Sequence, residues 1–325
     1  MKVLGIETTC DETAASVVVE GRHIISSVVS SQIDLHKAYG GVVPELACRR
    51  HIDLLMPIID EALKQANTPL SEIDLISVAH GPGLIGALMI GLNAAKALSF
   101  ANNIPFIGVN HIEAHLYACL MANPSIPLPA IGAILSGGHT TLVHIKSLGE
   151  YDIIGETVDD AIGEAFDKCS KIMGLSYPGG PIIENMALRG SKKHPFKAGQ
   201  VKGKPLAFSF SGLKTAVLYA YRKIENPTEQ DKNDIAASFQ HAAFTDIQKK
   251  IGLAMQDCGT RTLLVGGGVT NSQALKSYLT KFDTHYPDKG MSLDNAAMIA
   301  GLGFHKFKGT SDPYSLKAIA TLPIV

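Results

Sequence analysis

The segment HIEAH at residues 111–115 carries the most specific chemical pattern in the sequence. Because His111 and His115 are four residues apart, a helix would place both imidazoles on one face, where they could bind one metal ion. Glu113 would lie about 200° around such a helix, so the segment lacks the arrangement of a zinc peptidase. A third ligand must come from elsewhere, and Asp294, at a predicted helix start, is the candidate. A partly buried histidine pair without metal is the alternative.

Two turns rich in small and hydroxyl residues could hold phosphate. The first spans residues 8–13 and contains Asp11, and the second is SGGHT at 136–140. Backbone N–H groups and hydroxyls in such turns point into a concavity that accepts an anion. The glycines of VGGGVTN at 265–271 could let a nucleoside lie on the backbone, or could serve close strand–helix packing. The alternative for each of these two hairpin tips is that the small and polar residues only stabilise the turn itself.

Carboxylates are the second group of candidates, since a metal could accompany bound phosphate. Asp11 and Glu12 are adjacent in the first tip, and the pair Asp159–Asp160 precedes a predicted helix. Glu164 and Asp167 share one face of that helix. Helix-start charges on a solvated face are the alternative for this second set.

The charge balance is uneven along the chain. The formal net charge is −1, but residues 1–125 carry 7 Lys and Arg against 12 Asp and Glu, and residues 126–325 carry 22 against 18. The segment 189–204 holds six Lys and Arg and no acid. It could contact a nucleic-acid backbone through its charges, or it could be a solubilising basic loop.

The elements that carry these residues occur twice. KVLGIETTCDETAASVVVE and PAIGAILSGGHTTLVHIK each predict a hairpin, and each half later runs from a strand through a glycine cluster into a helix. This repetition predicts a duplicated α/β domain. The proline-rich segment 121–129 is the predicted linker. Helices are predicted to begin at Pro44 and, with Asp294 as the N-cap, near the end of the chain.

The composition bounds the class of protein. The 325 residues are 46% hydrophobic and 18% charged, which predicts two globular domains and excludes disorder. The five cysteines are isolated and form no CxxC, which excludes a disulfide scaffold and a zinc ribbon. The start reads as a strand rather than a signal peptide, and we expect no membrane span and a cytoplasmic location.

Ten motifs occur in a fixed order: GIETTCDETA, YGGVVPELACRRH, GPGLIGALMIG, HIEAH, SGGHTTL, IGEAFDK, YPGGP, FSFSGLKTA, GGGVTN and DNAAMIA. Together they resemble the tRNA N6-adenosine threonylcarbamoyltransferase family of the bacterial TsaD type. The resemblance runs from residue 3 to about residue 308. Only the tail, 309–325, lies outside it.

The resemblance implies an α/β fold with two duplicated actin/hexokinase/Hsp70-like (ASKHA) lobes around a nucleotide cleft. The expected lobes are residues 1–125 and 126–325, with the final helix, 294–308, packing back towards the cleft. The implied reaction transfers a threonylcarbamoyl group from threonylcarbamoyl-AMP to N6 of adenosine 37 in tRNAs that read codons beginning with adenine. The implied cofactor is one metal ion, with iron expected ahead of zinc, and ATP binding is an option. The implied partners are tRNA and proteins of the TsaB and TsaE types, without a membrane.

The resemblance also assigns residues. It places the metal on His111, His115 and Asp294, and the catalytic tip on Asp11 and Glu12. Two positions depart from the family pattern, since Glu184 stands where Asp is usual and Ser272 where Asn is usual. The implied substrate and nucleotide contacts are Leu135, Ser136, Gly137, Gly138, His139, Asp167, Gly180, Glu184 and either Asn271 or Ser272.

The implied chemistry needs no protein nucleophile, because AMP is already a good leaving group on the carbamoyl carbon. Three other functions remain open on sequence grounds. They are a sugar or acetate kinase of the same fold, a small-molecule O-carbamoyltransferase, and a non-enzymatic ATP-binding scaffold. A kinase would not need HIEAH with Asp294, and a degenerate scaffold would be expected to lose these residues or Asp11.

Overall fold

A computed structural model describes residues 1–324 of the chain. They form two compact units. Unit 1 comprises Met1–Ser125 together with the segment from Pro287 onward, and unit 2 comprises Ile126–Tyr286. The boundary after residue 125 lies inside the predicted linker. The sequence assigned 126–325 to one lobe, whereas the structure returns the segment from Pro287 to unit 1.

Unit 1 is built on a five-stranded sheet in the order β3-β2-β1-β4-β5. The first three strands form an antiparallel meander, and β4 and β5 run parallel to β1. Five consecutive residues of β1 are buried, and because successive residues face opposite sides of a sheet, this strand is covered by a layer on each face. The strands are β1 (Lys2–Glu7), β2 (Glu12–Val19), β3 (His23–Ser31), β4 (Leu75–Gly81) and β5 (Phe106–Asn110).

Helices cover both faces of this sheet. Leu4 and Ile6 pack with side chains of α2 and α3 in one apolar core. Gly5 faces the opposite layer, where a Cβ would overlap the Ala296 carbonyl, so α10 can lie directly on β1. This close approach is why the C-terminal segment belongs to unit 1. The helices are α1 (Ile33–Lys37), α2 (Pro44–Gln65), α3 (Ile85–Asn102), α4 (His111–Ala122) and α10 (Ala296–Lys306).

Unit 2 repeats the same topology, with the strand order β10-β9-β6-β7-β8. Strands β6, β7 and β8 form the antiparallel meander, and β9 and β10 are parallel to β6. The matching strand order supports the predicted duplication. The strands are β6 (Ala130–Leu135), β7 (Thr140–Ser147), β8 (Glu150–Glu156), β9 (Thr262–Gly266) and β10 (Asp283–His285).

The helices of unit 2 bury a large apolar core against its sheet. The longest, α8, begins with a capping box in which Thr228 and Asp231 bond each other's backbone N–H groups. The remaining helices are shorter and carry the loops described below. The helices are α5 (Ile162–Ile172), α6 (Gly179–Ala187), α7 (Ser211–Arg222), α8 (Glu229–Cys258) and α9 (Gln273–Leu279).

Helix α3 is the one helix among residues 1–324 that is long and apolar enough to cross a membrane by length and composition. A third of its residues are buried. Its inner face packs on α2 and β4, and its Gly91 lies against Thr8 at the first hairpin tip. These contacts give the apolar residues of that face a role in the core of unit 1.

Candidate metal centre and substrate loops

Helix α4 starts directly at the end of β5, and its start is fixed by a side-chain cap. Asn110 Oδ1 accepts hydrogen bonds from the N–H groups of Ile112 at 2.9 Å and Glu113 at 3.1 Å. This cap makes His111 the first helical residue, with His115 one turn later. Their ring centroids are 4.7 Å apart, so the two imidazoles share a face as the spacing predicts.

Asp294 completes a cluster with these histidines. Its Oδ1 lies 3.0 Å from His115 Nε2 and 3.6 Å from His111 Nε2. One ligand atom from each residue lies within 4.8 Å of the other two. The prediction that Asp294 caps the last helix is wrong, because Asn295 Oδ1 accepts from Met298 N–H at 3.0 Å and α10 begins after it. The Asp294 carboxylate instead faces the imidazoles.

Glu7, at the end of β1, orients His111 from the other side of the ring. Its fully buried carboxylate places Oε2 2.9 Å from His111 Nδ1, and its Oε1 accepts from Thr9 N–H at 2.5 Å. A proton on Nδ1 leaves Nε2 directed at Asp294, the arrangement by which a carboxylate commonly orients a metal-binding histidine. Burial lowers the pKa of His111, but the charges of Glu7 and Asp294 outweigh it and raise that pKa to about 9.

The sequence interpretation did not identify Glu7. The available signal was a glutamate ending an otherwise apolar strand, directly before the polar tip. A carboxylate in that place is expensive to bury without a partner. Its partner is 104 residues away and becomes visible only in the fold.

Glu113, the middle residue of HIEAH, has a structural partner. Its buried Oε2 lies 2.6 Å from Lys306 Nζ on α10. This ion pair joins α4 to the helix that follows Asp294. The glutamate therefore ties together the two segments that carry the cluster, and its position around α4 agrees with the exclusion of a zinc-peptidase arrangement.

The cluster fits a metal ion by its donor set and its spacing. Two ligands each about 2.1 Å from one metal lie about 3 Å apart, close to the distances from Asp294 Oδ1 to His115 Nε2 and His111 Nε2. Two imidazoles with one carboxylate suit Fe²⁺ and Zn²⁺, and both ions accept further ligands from a substrate.

The first hairpin tip, with Asp11 and Glu12, is also part of unit 1. Its backbone is anchored independently of these carboxylates: Gln32 N–H donates to Asp11 O at 2.9 Å, and His51 Nε2 lies 3.0 Å from Cys10 O. Asp11 is buried and half-buried Glu12 follows it. The tip therefore holds two carboxyl groups side by side without needing them for its own turn.

The electrostatics of the tip favour the protonated form of Glu12. Burial raises the pKa of Glu12, and the charges of Asp294 and Asp11 raise it further, to about 9. A hydrogen bond to Asp11 contributes in the same direction. The tip and Asp294 are therefore close enough to interact through their charges, and Glu12 can donate its proton to the Asp11 carboxylate.

In unit 2, the glycine turn that follows Leu135, the last residue of β6, is closed by local bonds. Ser136 N–H donates to His139 O at 2.9 Å, and His139 N–H donates to Ser136 Oγ at 3.0 Å. A Cβ added to Gly137 or Gly138 would meet open space, so the turn is open on the side from which a side chain would project. The turn also accepts Gly163 N–H, at the start of α5, on Ser136 O.

The other predicted contacts of unit 2 form two hydrogen-bonded groups. Asp167 Oδ1 accepts from Gly179 N–H at 2.6 Å, which fixes the start of α6 beside Gly180. Glu184 Oε1 accepts from Ser272 Oγ at 3.1 Å and from Ala274 N–H at 2.7 Å. The two positions that depart from the family pattern are therefore bonded to each other.

Ser272 also serves as the N-cap of α9, accepting from Leu275 N–H at 3.0 Å. Its hydroxyl thus accepts one bond and donates another within the protein. Asn271, one residue earlier, is exposed at the end of the turn that follows β9.

The carboxylates around α5 form ion pairs and bonds to helix starts, as the alternative interpretation of these residues predicts. Asp160 lies 2.5 Å from Lys168 Nζ and 3.1 Å from Lys214 Nζ, and Glu164 also pairs with Lys168. Asp159 accepts from the backbone N–H groups at the start of α7. These carboxylates hold helices and lysines rather than forming a second metal cluster.

The duplicated sheets and their helices define an ASKHA-type α/β protein, here with a two-histidine, one-carboxylate cluster on the first unit. A likeness to solved structures agrees on the fold: full-length HypF in its phosphate- and nucleotide-bound form gives a TM-score of 0.65 over 95% of this chain and 47% of that chain. The two share 13% sequence identity, so this likeness concerns the fold alone.

The chain belongs to the family TsaD, tRNA N6-adenosine threonylcarbamoyltransferase, whose sequence profile matches residues 23–301. The protein of that name from Protochlamydia amoebophila is 57% identical over 338 residues, covering 100% of this chain and 98% of the relative. The Bacillus subtilis protein of that name is 45% identical over 97% of this chain and 94% of the relative. The chain is therefore a transferase of a tRNA-modifying family, and the family implies a metal and an ATP-related substrate.

Proposed function

We propose that this chain transfers the threonylcarbamoyl group of threonylcarbamoyl-AMP to N6 of adenosine 37 in tRNAs that read codons beginning with adenine. The observation that carries the proposal is the cluster of His111, His115 and Asp294, with the Asp11–Glu12 tip within electrostatic range of it. This combination suits the activation of an adenylate carbonyl beside a proton acceptor.

In this proposal His111, His115 and Asp294 hold one metal ion, with iron preferred over zinc. When bound, that ion supplies Lewis-acid polarisation of a phosphate or carbamoyl oxygen. Glu7 keeps His111 oriented, with Nδ1 towards its own carboxylate and Nε2 towards Asp294. Glu113 and Lys306 keep the two segments of the cluster in register.

The remaining residues position the reactants. The amine at N6 is a weak nucleophile because its lone pair is delocalised into the ring, so fixed alignment and proton removal both matter. The Asp11 carboxylate accepts the amine proton, and Glu12 holds Asp11 through a hydrogen bond. The open side of the turn at Gly137 and Gly138 receives the phosphate, and Asp167, Gly180 and Glu184 shape the nucleotide loops.

The alternative functions have less support. A sugar or acetate kinase gives no use to the histidine cluster or to Glu7 behind it. A scaffold without activity gives no reason for two adjacent carboxyl groups at the tip, one of them buried. A small-molecule O-carbamoyltransferase would use the same adenylate chemistry. It differs from the proposed function in the acceptor, which an experiment can identify.

The decisive assay supplies preformed threonylcarbamoyl-AMP and unmodified tRNA to the purified chain together with its partner proteins. Mass spectrometry of the digested tRNA should detect N6-threonylcarbamoyladenosine. A tRNA with guanosine at position 37 is the matched control. Absence of product, with transfer to a small hydroxylated acceptor instead, would favour the O-carbamoyltransferase.

We expect Asn271, rather than Ser272, to contact the nucleoside. The Ser272 hydroxyl is engaged by Glu184 and Leu275, whereas Asn271 is exposed. Asn271→Ala should raise the KM for threonylcarbamoyl-AMP about three- to tenfold, the value of one hydrogen bond, with an unchanged melting temperature. Ser272→Ala should instead lower the stability by about 1 kcal/mol through loss of the α9 cap. A raised KM in Ser272→Ala alone would reverse the assignment.

We expect the basic segment 189–204 to contribute electrostatic affinity for tRNA. It lies on α8, where Ser191 N–H donates to Asp234 Oδ1 at 2.7 Å and Lys193 Nζ lies 2.5 Å from Asp234 Oδ2. Lys193 is therefore engaged within the protein. The exposed lysines available to phosphate are Lys192, Lys197, Lys202 and Lys204.

Replacing Lys192, Lys197 and Lys202 by Ala should weaken tRNA binding without changing the melting temperature. Each lysine–phosphate interaction that is removed should flatten the slope of log K against log[salt] by about 0.7 to 0.9. Lys64→Ala, an exposed lysine on α2, is the control. tRNA binding should be measured with the partner proteins present. If the triple variant keeps the wild-type affinity and salt slope, the segment is a solubilising loop.

We further propose that partner proteins of the TsaB and TsaE types assist the reaction in the cytoplasm, where tRNA is modified, without a membrane. Unit 1 offers a surface for one such partner. Ile52 and Met56 on α2 and Ile85 and Met89 on α3 are each 46–65% exposed. Exposed apolar side chains grouped on two packed helices are typical of a protein–protein interface.

A further inference from the structure

The segment after α10, which the proposed function leaves unused, forms an irregular strap over unit 1. We call residues 311–323 the C-terminal strap. It begins at β5, the last strand in the sheet order, where Asp312 N–H donates to Phe106 O at 2.8 Å. Gly108 N–H in turn donates to Asp312 Oδ2 at 2.8 Å. The strap thus satisfies backbone groups that an edge strand leaves open.

The middle of the strap is anchored to α3. The Tyr314 ring stacks on Phe106 with the centroids 5.6 Å apart, and its hydroxyl lies 3.2 Å from Ser99 Oγ. Lys96 Nζ donates to Leu316 O at 2.6 Å. These contacts hold the strap at the amino-terminal end of β5, and from there the strap runs towards the carboxyl ends of the parallel strands, where the site residues lie.

The strap then crosses the loop between β4 and α3. Gly83 N–H donates to Ala320 O at 3.1 Å, and a Cβ on Gly81 would overlap the Ile319 carbonyl. The next residue of the loop, Leu84, donates its N–H to Thr9 O at 2.8 Å. Thr9 Oγ1 lies 3.4 Å from His111 Nδ1, so this branch leads from the strap to the first histidine.

The end of the strap reaches the same helix from a second direction. Asn110 Nδ2 donates to Pro323 O at 2.9 Å and to Leu322 O at 3.3 Å. The Oδ1 of the same side chain caps α4. One amide therefore joins the strap to the first turn of the helix that carries His111 and His115.

We propose that the C-terminal strap is a positioning element for the metal site, which holds the Asn110 side chain and thereby sets the direction of α4. The inference rests on the proposed metal role of His111 and His115. A cap held only by α4 would leave the amide free to rotate and the first turn free to fray. The carbonyls of Leu322 and Pro323 fix both the amide orientation and the entry of the chain into the helix.

Two variants remove this contact from opposite sides. Asn110→Ser keeps an oxygen that caps α4, since Ser and Asn are comparable N-caps, but it removes the Nδ2 donor. A chain ended after Thr321 removes the two acceptor carbonyls and leaves Asn110 intact. Each should raise the Kd for Co²⁺, titrated into the metal-free chain, by about 10- to 100-fold, as is typical for groups that orient metal ligands. The variant that combines both changes should bind Co²⁺ no more weakly than the weaker-binding single variant does, because both changes remove the same contact.

The control is Leu55→Ala, a core substitution in unit 1 that lowers the melting temperature but removes none of the hydrogen bonds that hold the strap. Its Co²⁺ affinity should stay within about threefold of wild type. Amide hydrogen exchange of residues 112–116, measured without metal, should be faster in both strap variants and unchanged in the control.

Unchanged Co²⁺ affinity in both strap variants, or additive losses in the combined one, would overturn the proposal. Equal losses in Leu55→Ala would do the same, since stability would then explain them. If the wild-type chain binds no Co²⁺, the proposed metal site is wrong, and the exchange rates alone decide whether the strap holds α4.

Discussion

His111→Asn should abolish stoichiometric metal binding and lower threonylcarbamoyl transfer by on the order of 10³-fold, since metal activation supplies several kcal/mol. Removing one ligand of a small set costs about 3 kcal/mol of binding, or a hundredfold or more in Kd. Metal content per chain after purification without chelator, and single-turnover transfer, are the measurements.

Asn is preferred to Ala because of Glu7. The Asn amide can replace the His111 Nδ1 proton that faces the buried Glu7 carboxylate, while nothing replaces Nε2. His111→Ala would leave that carboxylate unpaired and would be expected to destabilise unit 1. His23→Asn, an exposed histidine on β3, is the matched control and should keep both metal and activity. Full metal content in His111→Asn would contradict the assignment of this ligand.

Asp11→Asn should lower the rate of transfer by on the order of 10²-fold or more, the range for a lost acid–base group, with an unchanged melting temperature. The tip backbone is held by Gln32 and His51, so the substitution leaves its hydrogen bonds in place. Single-turnover transfer from preformed threonylcarbamoyl-AMP, with tRNA and partners, isolates the chemical step.

Glu12→Gln is the companion variant. Because the pKa of Glu12 is raised to about 9, its carboxyl is protonated at neutral pH, and the Gln amide can still donate to Asp11. We therefore expect less than a tenfold loss of rate in Glu12→Gln. A wild-type rate in Asp11→Asn would show that this carboxylate has no catalytic role. Equally large losses of rate in both variants would show that Asp11 and Glu12 act as a unit.

Short-range features of the site were predictable from the sequence because they depend on local geometry. The spacing of His111 and His115 is sufficient to place them on one face of a helix. The two hairpins and their tips rich in small and hydroxyl residues follow from strand periodicity and turn chemistry. The family pattern added Asp294, which spacing alone could only suggest.

The remaining features depend on contacts between distant segments. Asp294 and Asn295 are both good caps, and only the fold shows that Asn295 caps α10 while Asp294 faces the histidines. The return of α10 to unit 1 depends on its backbone fitting over Gly5, a contact that no helical periodicity encodes. The strap has no regular period at all, since its bonds go to backbone and side-chain groups of other elements.

The division of unit 1 into two stretches of chain has a consequence for the order of folding. Unit 2 is continuous, so a chain emerging from the ribosome can complete it as soon as Tyr286 is exposed. Unit 1 cannot finish then, because α10 must close over β1, and the loop between them spans nearly the whole chain. Asp294 arrives with that closing segment. His111 and His115 are therefore synthesised well before Asp294, and the proposed metal site can form only after this closing segment has joined unit 1.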